Sequence, residues 1–171
     1  FDGLIKKIFG DKNQKDLDEL SPIVHSTNEA FLKLQNLSDD QLRAKTADFK
    51  SAIEESCSSV KKQKIEIKEK AISASLSIAE KEILYKDIEQ LDLDEDELIE
   101  KTLLTIMPEA FAVIKETSRR LSENGQLKVT ANENDRLIAT QKDVVSIEGD
   151  YAIWSNKWDA AGTDVEWSMV H

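Results

Sequence analysis

The sequence predicts an α+β protein in which long N-terminal helices, arranged as a bundle or as hairpins, precede a small antiparallel β-meander. From Leu4 to about Leu121 the apolar residues recur every three to four positions, which is the spacing of amphipathic helices. After Asn124 and Gly125 the pattern changes to alternating apolar and polar residues, interrupted by short polar clusters that indicate turns. The chain therefore divides into a helical part followed by a β-rich part.

Two signals divide the first part of the helical region. After a short amphipathic stripe at residues 4–9, apolar residues from Leu17 to Leu34 predict a second helix, with a restart at Pro22 as the alternative. Ser38 is followed three residues later by Gln41, which is the pattern of a capping box and predicts a helix start.

Residues 58–90 contain neither Gly nor Pro and predict a long helix or a helical hairpin. A further helical run covers residues 94–121. Pro108 lies inside it and is expected either to kink that helix or to begin a new one near Met107.

The β-rich part is predicted to contain short strands joined by tight turns. Residues 126–131, 136–141, 144–148 and 151–154 are expected to form strands, and a last alternating run includes Val165, Trp167 and Met169. The cluster at residues 132–135 is interpreted as a turn. All three Trp residues lie in this part and predict an aromatic core, with an aromatic face for a partner as the alternative.

Charge and composition exclude several classes of function. The net charge of −11 argues against nucleic-acid binding, which depends on positive charge. The acidic run from Asp87 to Glu100 is interpreted as a solvated junction between helices. Cys57 is the single cysteine, so an internal disulfide is excluded and a reducing compartment is expected. No stretch approaches the roughly 20 apolar residues that a membrane-spanning helix needs.

No motif of a self-sufficient enzyme is present. The five glycines are scattered and form no phosphate-binding loop. His25 and His171 lie far apart and belong to no metal-ligand spacing, so His25 is interpreted as structural. Cys57 lies on the apolar stripe of its helix and is expected to be a small buried hydrophobe, with a nucleophilic pair between Cys57 and His25 as the alternative.

Three segments resemble the SecA family of preprotein translocase ATPases. Residues 4–13, LIKKIFGDKN, are similar to the start of SecA proteins. Residues 37–50, LSDDQLRAKTADFK, resemble the SecA segment LSDEELRAKTAEFR, and residues 107–120, MPEAFAVIKETSRR, resemble LLPEAFAVVREASRR. The second and third matches are long and occur in the expected order.

The departures from the family pattern predict two insertions. In a typical SecA, about a dozen residues separate the last two segments, whereas residues 58–97 are mostly additional here. A β-rich stretch also separates Arg120 from residues 168–171, SMVH, which resemble the family's GMRH. The expected divisions are residues 1–36 (amphipathic and following helix), 37–121 (helical part of the first motor domain, with an insertion at about 58–97) and 122–171 (β-rich insertion leading back to the motor domain).

The resemblance implies that this is an N-terminal piece of an ATP-driven motor that pushes unfolded preproteins through the SecY channel, and that it ends before the phosphate loop. ATP and Mg²⁺ are expected in the parent protein, while no cofactor or metal and no catalytic residue is expected in these 171 residues. The implied partners are the SecY channel, preproteins and anionic phospholipid. The implied location is the cytoplasm, partly as a peripheral protein on the inner face of the cytoplasmic membrane.

The N-terminal helix is the one functional element that the resemblance places in this chain. It implies a membrane or channel contact through apolar residues and lysines: Leu4, Ile5, Lys6, Lys7, Ile8, Phe9, Lys12 and Lys15. The alternative is that the same stripe packs on the protein itself. Two further hypotheses stay open at this stage: a helical adaptor or scaffold that acts through helix pairing, including a homodimer, and a β-rich docking module.

Overall fold

A computed structural model describes residues 2–73 and 75–167, with side chains from residue 16 onward. The chain forms two compact units. The first consists of Phe1–Lys45 and Pro108–His171, and the second consists of Thr46–Met107. The predicted α+β class is confirmed, because long helices come first and two small antiparallel sheets follow.

Three long helices make up most of the chain: α1 (Asp2–Leu34), α2 (Asp39–Ala71) and α3 (Ile78–Glu123). Both α2 and α3 continue from one unit into the other without a break. Pro22 lies inside α1, so the separate second helix expected over residues 17–34 is wrong and no restart occurs at Pro22. Pro108 lies inside α3, so of its two alternatives a new helix near Met107 is wrong. A proline lacks the amide that donates to the carbonyl four residues earlier, and the residues at these two positions, Asp18 and Leu104, are exposed.

Reciprocal capping boxes begin α2 and α3. The predicted box at α2 is confirmed: the Ser38 amide donates to Gln41 Oε1 at 2.9 Å, and the Gln41 amide donates to Ser38 Oγ at 3.2 Å. Ser77 and Glu80 form an equivalent box at the start of α3. This second box ends the six-residue turn after Ala71, so the long run predicted over residues 58–90 is the hairpin rather than a single helix.

The second unit is the hairpin formed by α2 and α3. Cys57 is completely buried in it, which confirms its prediction as a small hydrophobe, and its thiol lies 3.9 Å from the Glu95 carbonyl. Lys64 on α2 forms ion pairs with Asp92 and Glu95 on α3. Its ammonium is the main cause of the lowered pKa of Asp92. The acidic run is thus not a junction between helices but a continuous part of α3, and part of it pairs with α2.

The first unit has an apolar cluster where its helices meet. Leu34, Leu42 and Ala112 are buried there, one from each long helix. Phe31 packs against this cluster, and Lys115 of α3 lies over the Phe31 ring at 4.6 Å from its centroid. The end of α1, the start of α2 and the C-terminal part of α3 therefore share one core.

The larger sheet contains β1 (Gln126–Thr130), β2 (Val145–Glu148) and β3 (Tyr151–Ser155). All neighbours are antiparallel as predicted, but β3 lies in the middle, so the order is β1-β3-β2 rather than the order of the chain. Val129, Val145 and Ala152 are buried on one face. Gly149, at φ 61°, allows the tight turn between β2 and β3.

The strand predicted over residues 136–141 is wrong, because α4 (Glu133–Ala139) occupies most of this segment. The preceding polar cluster is not a turn but the helix start. Asn132 is the N-cap: its side chain accepts from the Asp135 amide, and the Asp135 carboxylate accepts from the Asn132 amide. A satisfied capping box thus outweighs a short and ambiguous apolar pattern. Ile138 and Ala139 then pack against the sheet.

A separate two-stranded hairpin ends the described chain. It pairs β4 (Lys157–Ala160), which the sequence did not predict, with β5 (Thr163–Glu166). Trp158 and Trp167 contact each other at 5.7 Å between ring centroids, while Trp154 packs against the core of the larger sheet. All three indoles are partly buried, and Met169 lies outside the described residues.

No helix in the part of the chain open to this test combines the length and the apolar character needed to cross a membrane.

Candidate functional site

The predicted membrane-contact residues all belong to the first four turns of α1, whose backbone is helical from Asp2. The side chains of Leu4, Ile5, Lys6, Lys7, Ile8, Phe9, Lys12 and Lys15 lie outside the described residues. Farther along α1, the side chains of Leu17, Leu20 and Val24 are exposed. His25 is also on the surface, and its Nδ1 lies 3.7 Å from a Glu29 carboxylate oxygen.

The most extensive polar arrangement of the first unit centres on Arg120, near the end of α3. Its guanidinium donates to Glu116 Oε1 at 2.7 Å and to Asp39 Oδ1 at 2.6 Å. It also donates to the backbone carbonyls of Leu34, at 3.3 Å, and Leu37, at 2.7 Å. These acceptors end α1, form the connection and begin α2, so a single buried cation joins all three helices.

Glu116 balances this buried cation. Its carboxylate is completely buried and also accepts two hydrogen bonds from Arg119, at 2.9 and 2.8 Å. The hydrogen bonds from Arg119, together with the one from Arg120, hold the pKa of Glu116 below its usual range despite burial. The carboxylate therefore stays ionised, as the two arginines require.

A second charged cluster fixes the β-rich segment to α2. Arg43 donates to both oxygens of the buried Asp135 carboxylate, each at 2.7 Å, which is the bidentate geometry that a planar guanidinium favours. Asp40, on the same helix, accepts from the amide and the hydroxyl of Thr130, both at 2.8 Å. One turn of α2 thereby holds both the end of β1 and the start of α4.

The electrostatics of Asp135 follow from these contacts. Burial alone would raise the pKa of this carboxyl, but the hydrogen bonds from Arg43 and from the Asn132 amide outweigh it, so the pKa is lowered. Lys45, two residues beyond Arg43, pairs with Glu109 at 3.0 Å near the boundary of this unit. The charged groups around the start of α2 are thus paired across elements.

This arrangement is suited to positioning rather than to catalysis. Its carboxylates are occupied by guanidinium or backbone donors, so neither Glu116 nor Asp135 is poised to exchange a proton with a substrate. Within the residues open to inspection, no buried side-chain polar atom lacks a partner and no group of three potential ligands could hold a metal ion.

The sequence did not predict these pairings. Arg43 and Asp135 are separated by 92 residues, and no spacing rule links them. The available signal was the double arginine at 119 and 120, three and four residues after Glu116. A separate open cavity of about 680 Å³ lies in the β-rich part. Its lining includes Lys157 and Trp158 of β4 and residues 141–144, which follow α4.

Comparison with known proteins identifies the class to which this arrangement belongs. The family model described as the SecA DEAD-like domain matches residues 5–133, which include most of α1, all of α2 and α3, and the first residue of α4. The two segments that this network joins, residues 37–50 and 107–120, both lie within the match.

Curated relatives match almost the whole chain. Proteins named protein translocase subunit SecA are 45% identical over 170 residues in Cytophaga hutchinsonii, 42% over 170 residues in Christiangramia forsetii and 42% over 168 residues in Flavobacterium psychrophilum. These alignments cover 98–99% of this chain but only 15% of each relative. This chain belongs to the SecA family. No solved structure matches it significantly.

Replacing Arg120 is expected to destabilise the first unit. Arg120→Met leaves the Leu37 carbonyl without its donor and Glu116 with one arginine instead of two, and breaking a buried pair costs about 3–5 kcal/mol. Because all three Trp residues lie in the β-rich part of this unit, urea unfolding followed by Trp fluorescence measures the loss. Arg136→Met, at an exposed arginine of the same unit, is the matched control, and equal stability of the two variants would contradict the prediction.

The first unit is also expected to lose stability in acid. Glu116 and Asp135 have lowered pKa values in the folded state, so the unfolded state binds protons more readily. Their contribution is complete above the unfolded pKa values of about 4 and is lost as the pH falls through the folded values. The measurement is the urea midpoint by Trp fluorescence between neutral and acid pH. Asp135→Asn is expected to flatten this dependence, whereas Asp150→Asn, at an exposed position, should leave it unchanged.

Proposed function

We propose that this chain is the N-terminal part of an ATP-driven motor that pushes unfolded preproteins through the SecY channel. The main support is that the two SecA-like segments are joined by one buried network, through Arg120, Glu116 and Asp39. Residues that make these contacts are the ones that the resemblance to the family rests on. The name of the relatives, protein translocase subunit, supports the same function.

On this proposal, the chain contributes a scaffold to the motor and not its nucleotide chemistry. ATP and Mg²⁺ act in the parent protein at sites outside these residues, and the chain alone neither binds nor hydrolyses ATP. The parent works in the cytoplasm and, in part, on the inner face of the cytoplasmic membrane.

The domain divisions are proposed on the same basis. Residues 37–121 are the helical part of the motor domain with an insertion at about 58–97, residues 1–36 precede it, and residues 122–171 form the β-rich insertion. The bonds from Arg43 to Asp135 and from Thr130 to Asp40 would carry the β-rich insertion on the motor domain. Since the relatives align over 98–99% of this chain, they contain counterparts of both insertions.

A chimera tests the proposed function. The matching 170 residues of the Cytophaga hutchinsonii relative are replaced by this chain, and ATP-dependent uptake of a preprotein into inverted membrane vesicles is measured by protease protection. The chimera is expected to transport, and Arg120→Met within it is expected to reduce transport because the scaffold loosens. Arg136→Met is the control. A folded chimera that hydrolyses ATP but exports no preprotein would count against the proposal.

We further propose that the first four turns of α1 contact an anionic membrane surface. Support comes from the helical backbone from Asp2 onward and from a sequence that combines apolar residues with four lysines in its first fifteen positions. An apolar helix face can enter the lipid interface while lysines contact the headgroups, each contributing on the order of 1 kcal/mol.

Co-sedimentation with vesicles tests this contact. The chain is compared with a form that lacks residues 1–15, using vesicles of phosphatidylglycerol and phosphatidylcholine and neutral vesicles as the control. Removal of four lysines and the apolar face is expected to weaken binding to anionic vesicles by more than about tenfold. Equal binding by both forms would refute the contact.

A further inference from the structure

The first unit contains two separate apolar cores. One is formed by the three long helices around Leu34 and Ala112, and the other by the larger sheet and α4 around Val129 and Ala152. Neither core shares a residue with the other, even when the partly buried apolar residues that pack on each are included. A three-stranded sheet whose apolar face is covered by a helix meets the usual requirement for independent stability. The sheet and α4 can therefore keep their structure when they separate from the helices.

Five hydrogen bonds at the start of α2 join these two parts. Arg43 donates two to the Asp135 carboxylate and one, at 3.3 Å, to the Thr130 carbonyl, while Asp40 accepts two from Thr130. Asp40 and Thr130 are exposed and Arg43 is partly exposed, so water can replace these bonds when the parts separate. Hydrogen bonds that water replaces contribute far less net free energy than they do in isolation. Asp135 also keeps its bond from the Asn132 amide within α4.

The covalent connection between the two parts is short and unobstructed. The Asn124 amide donates back to the Arg120 carbonyl of α3 at 2.9 Å, whereas the Gly125 carbonyl accepts from the Asn156 amide, after β3, at 3.0 Å. Gly125 has no Cβ, and a Cβ at this position would have no atom within 4 Å. Neighbouring groups therefore do not hinder rotation here, and the chain can pivot between Asn124 and Gly125.

The side chains that join the two parts also cover the outer edge of β1. The Ala131 amide donates to the Asp150 carbonyl, on the side of β3. Because the backbone groups of successive residues in a strand alternate in direction, those of Thr130 point away from β3. β1 is an edge strand, and its Thr130 amide and carbonyl are bonded by Asp40 and Arg43 instead of by a further strand.

We propose that Asp40 and Arg43 form an ionic latch that opens and closes without unfolding of either part. When the latch opens, the β-rich part turns as a body about residues 124 and 125, and both backbone groups of Thr130 lose their partners. The closed latch prevents strand pairing at this edge of β1, and the open latch permits it. The latch is a conformational device of the chain itself, and it does not depend on the proposed motor function.

Amide hydrogen exchange resolved by NMR tests the latch in the full chain. The Thr130 amide reports the latch because its acceptor is Asp40, and the Ala131 amide reports the sheet because its acceptor is the Asp150 carbonyl. Exchange of the unsubstituted chain is measured in urea below the unfolding transition. Thr130 is expected to exchange through an opening that exposes little surface, so its rate should depend weakly on urea. Ala131 should follow global unfolding and depend strongly on urea.

A substitution at Arg43 separates the latch from the sheet. Arg43→Gln is expected to raise the exchange rate of the Thr130 amide by at least about tenfold and to leave that of Ala131 unchanged. The substitution leaves the amide's own acceptor in place, so the faster exchange reports loss of the latch as a unit. Lys50→Gln, at an exposed lysine seven residues farther along α2, is the matched control and should alter neither rate.

Spin labels measure whether the β-rich part moves as a body. They are attached at Lys33→Cys in α1 and Ser146→Cys in β2, two exposed positions, in a Cys57→Ala background. The distribution of distances between the labels is expected to broaden in Arg43→Gln and to stay unchanged in Lys50→Gln.

Four results would overturn the inference. They are equal urea dependence of Thr130 and Ala131 in the unsubstituted chain, unchanged exchange of Thr130 in Arg43→Gln, faster exchange of both amides in that variant, and an unchanged distribution of label distances. The third would show that the sheet does not keep its structure without the latch, and the fourth that only the end of β1 opens. Each would leave the proposed motor function standing.

Discussion

The first unit depends on one buried guanidinium. Arg120 makes hydrogen bonds to the end of α1, the connection that follows it and the start of α2, and Glu116 neutralises it within the same turn of α3. Burying such a charge is costly unless nearly every donor finds an acceptor, and here the acceptors come from all three helices. The arrangement therefore favours one register of the helices over others. Apolar packing around Leu34 alone would specify that register less strictly.

The first turn of α2, which begins at Asp39, also attaches the β-rich part to the helices. Asp40 and Arg43 lie on the side of α2 that faces β1 and α4, and both of their contacts are charge-assisted. A short family segment thus performs two tasks: it completes the helical base, and it holds the small sheet through β1 and α4.

Sequence reasoning was successful where the cause of structure is local. Helical spacing and the Ser38 capping box predicted most of the helical part, and the turn at Gly149 predicted the β2–β3 pair. It failed at α4, because a seven-residue helix has too few turns to show a period and its capping side chains resemble a turn cluster. The charged network was not predicted either, since its partners are 81 to 92 residues apart in the chain and only the fold brings them together.

The ion pair between Lys45 and Glu109 has a consequence for how this chain can change in evolution. It joins α2 and α3 at the base of the hairpin, so the two ends of the segment between residues 45 and 109 are neighbours. Evolution can therefore lengthen, shorten or exchange the hairpin while the contacts among the ends of the three helices are kept.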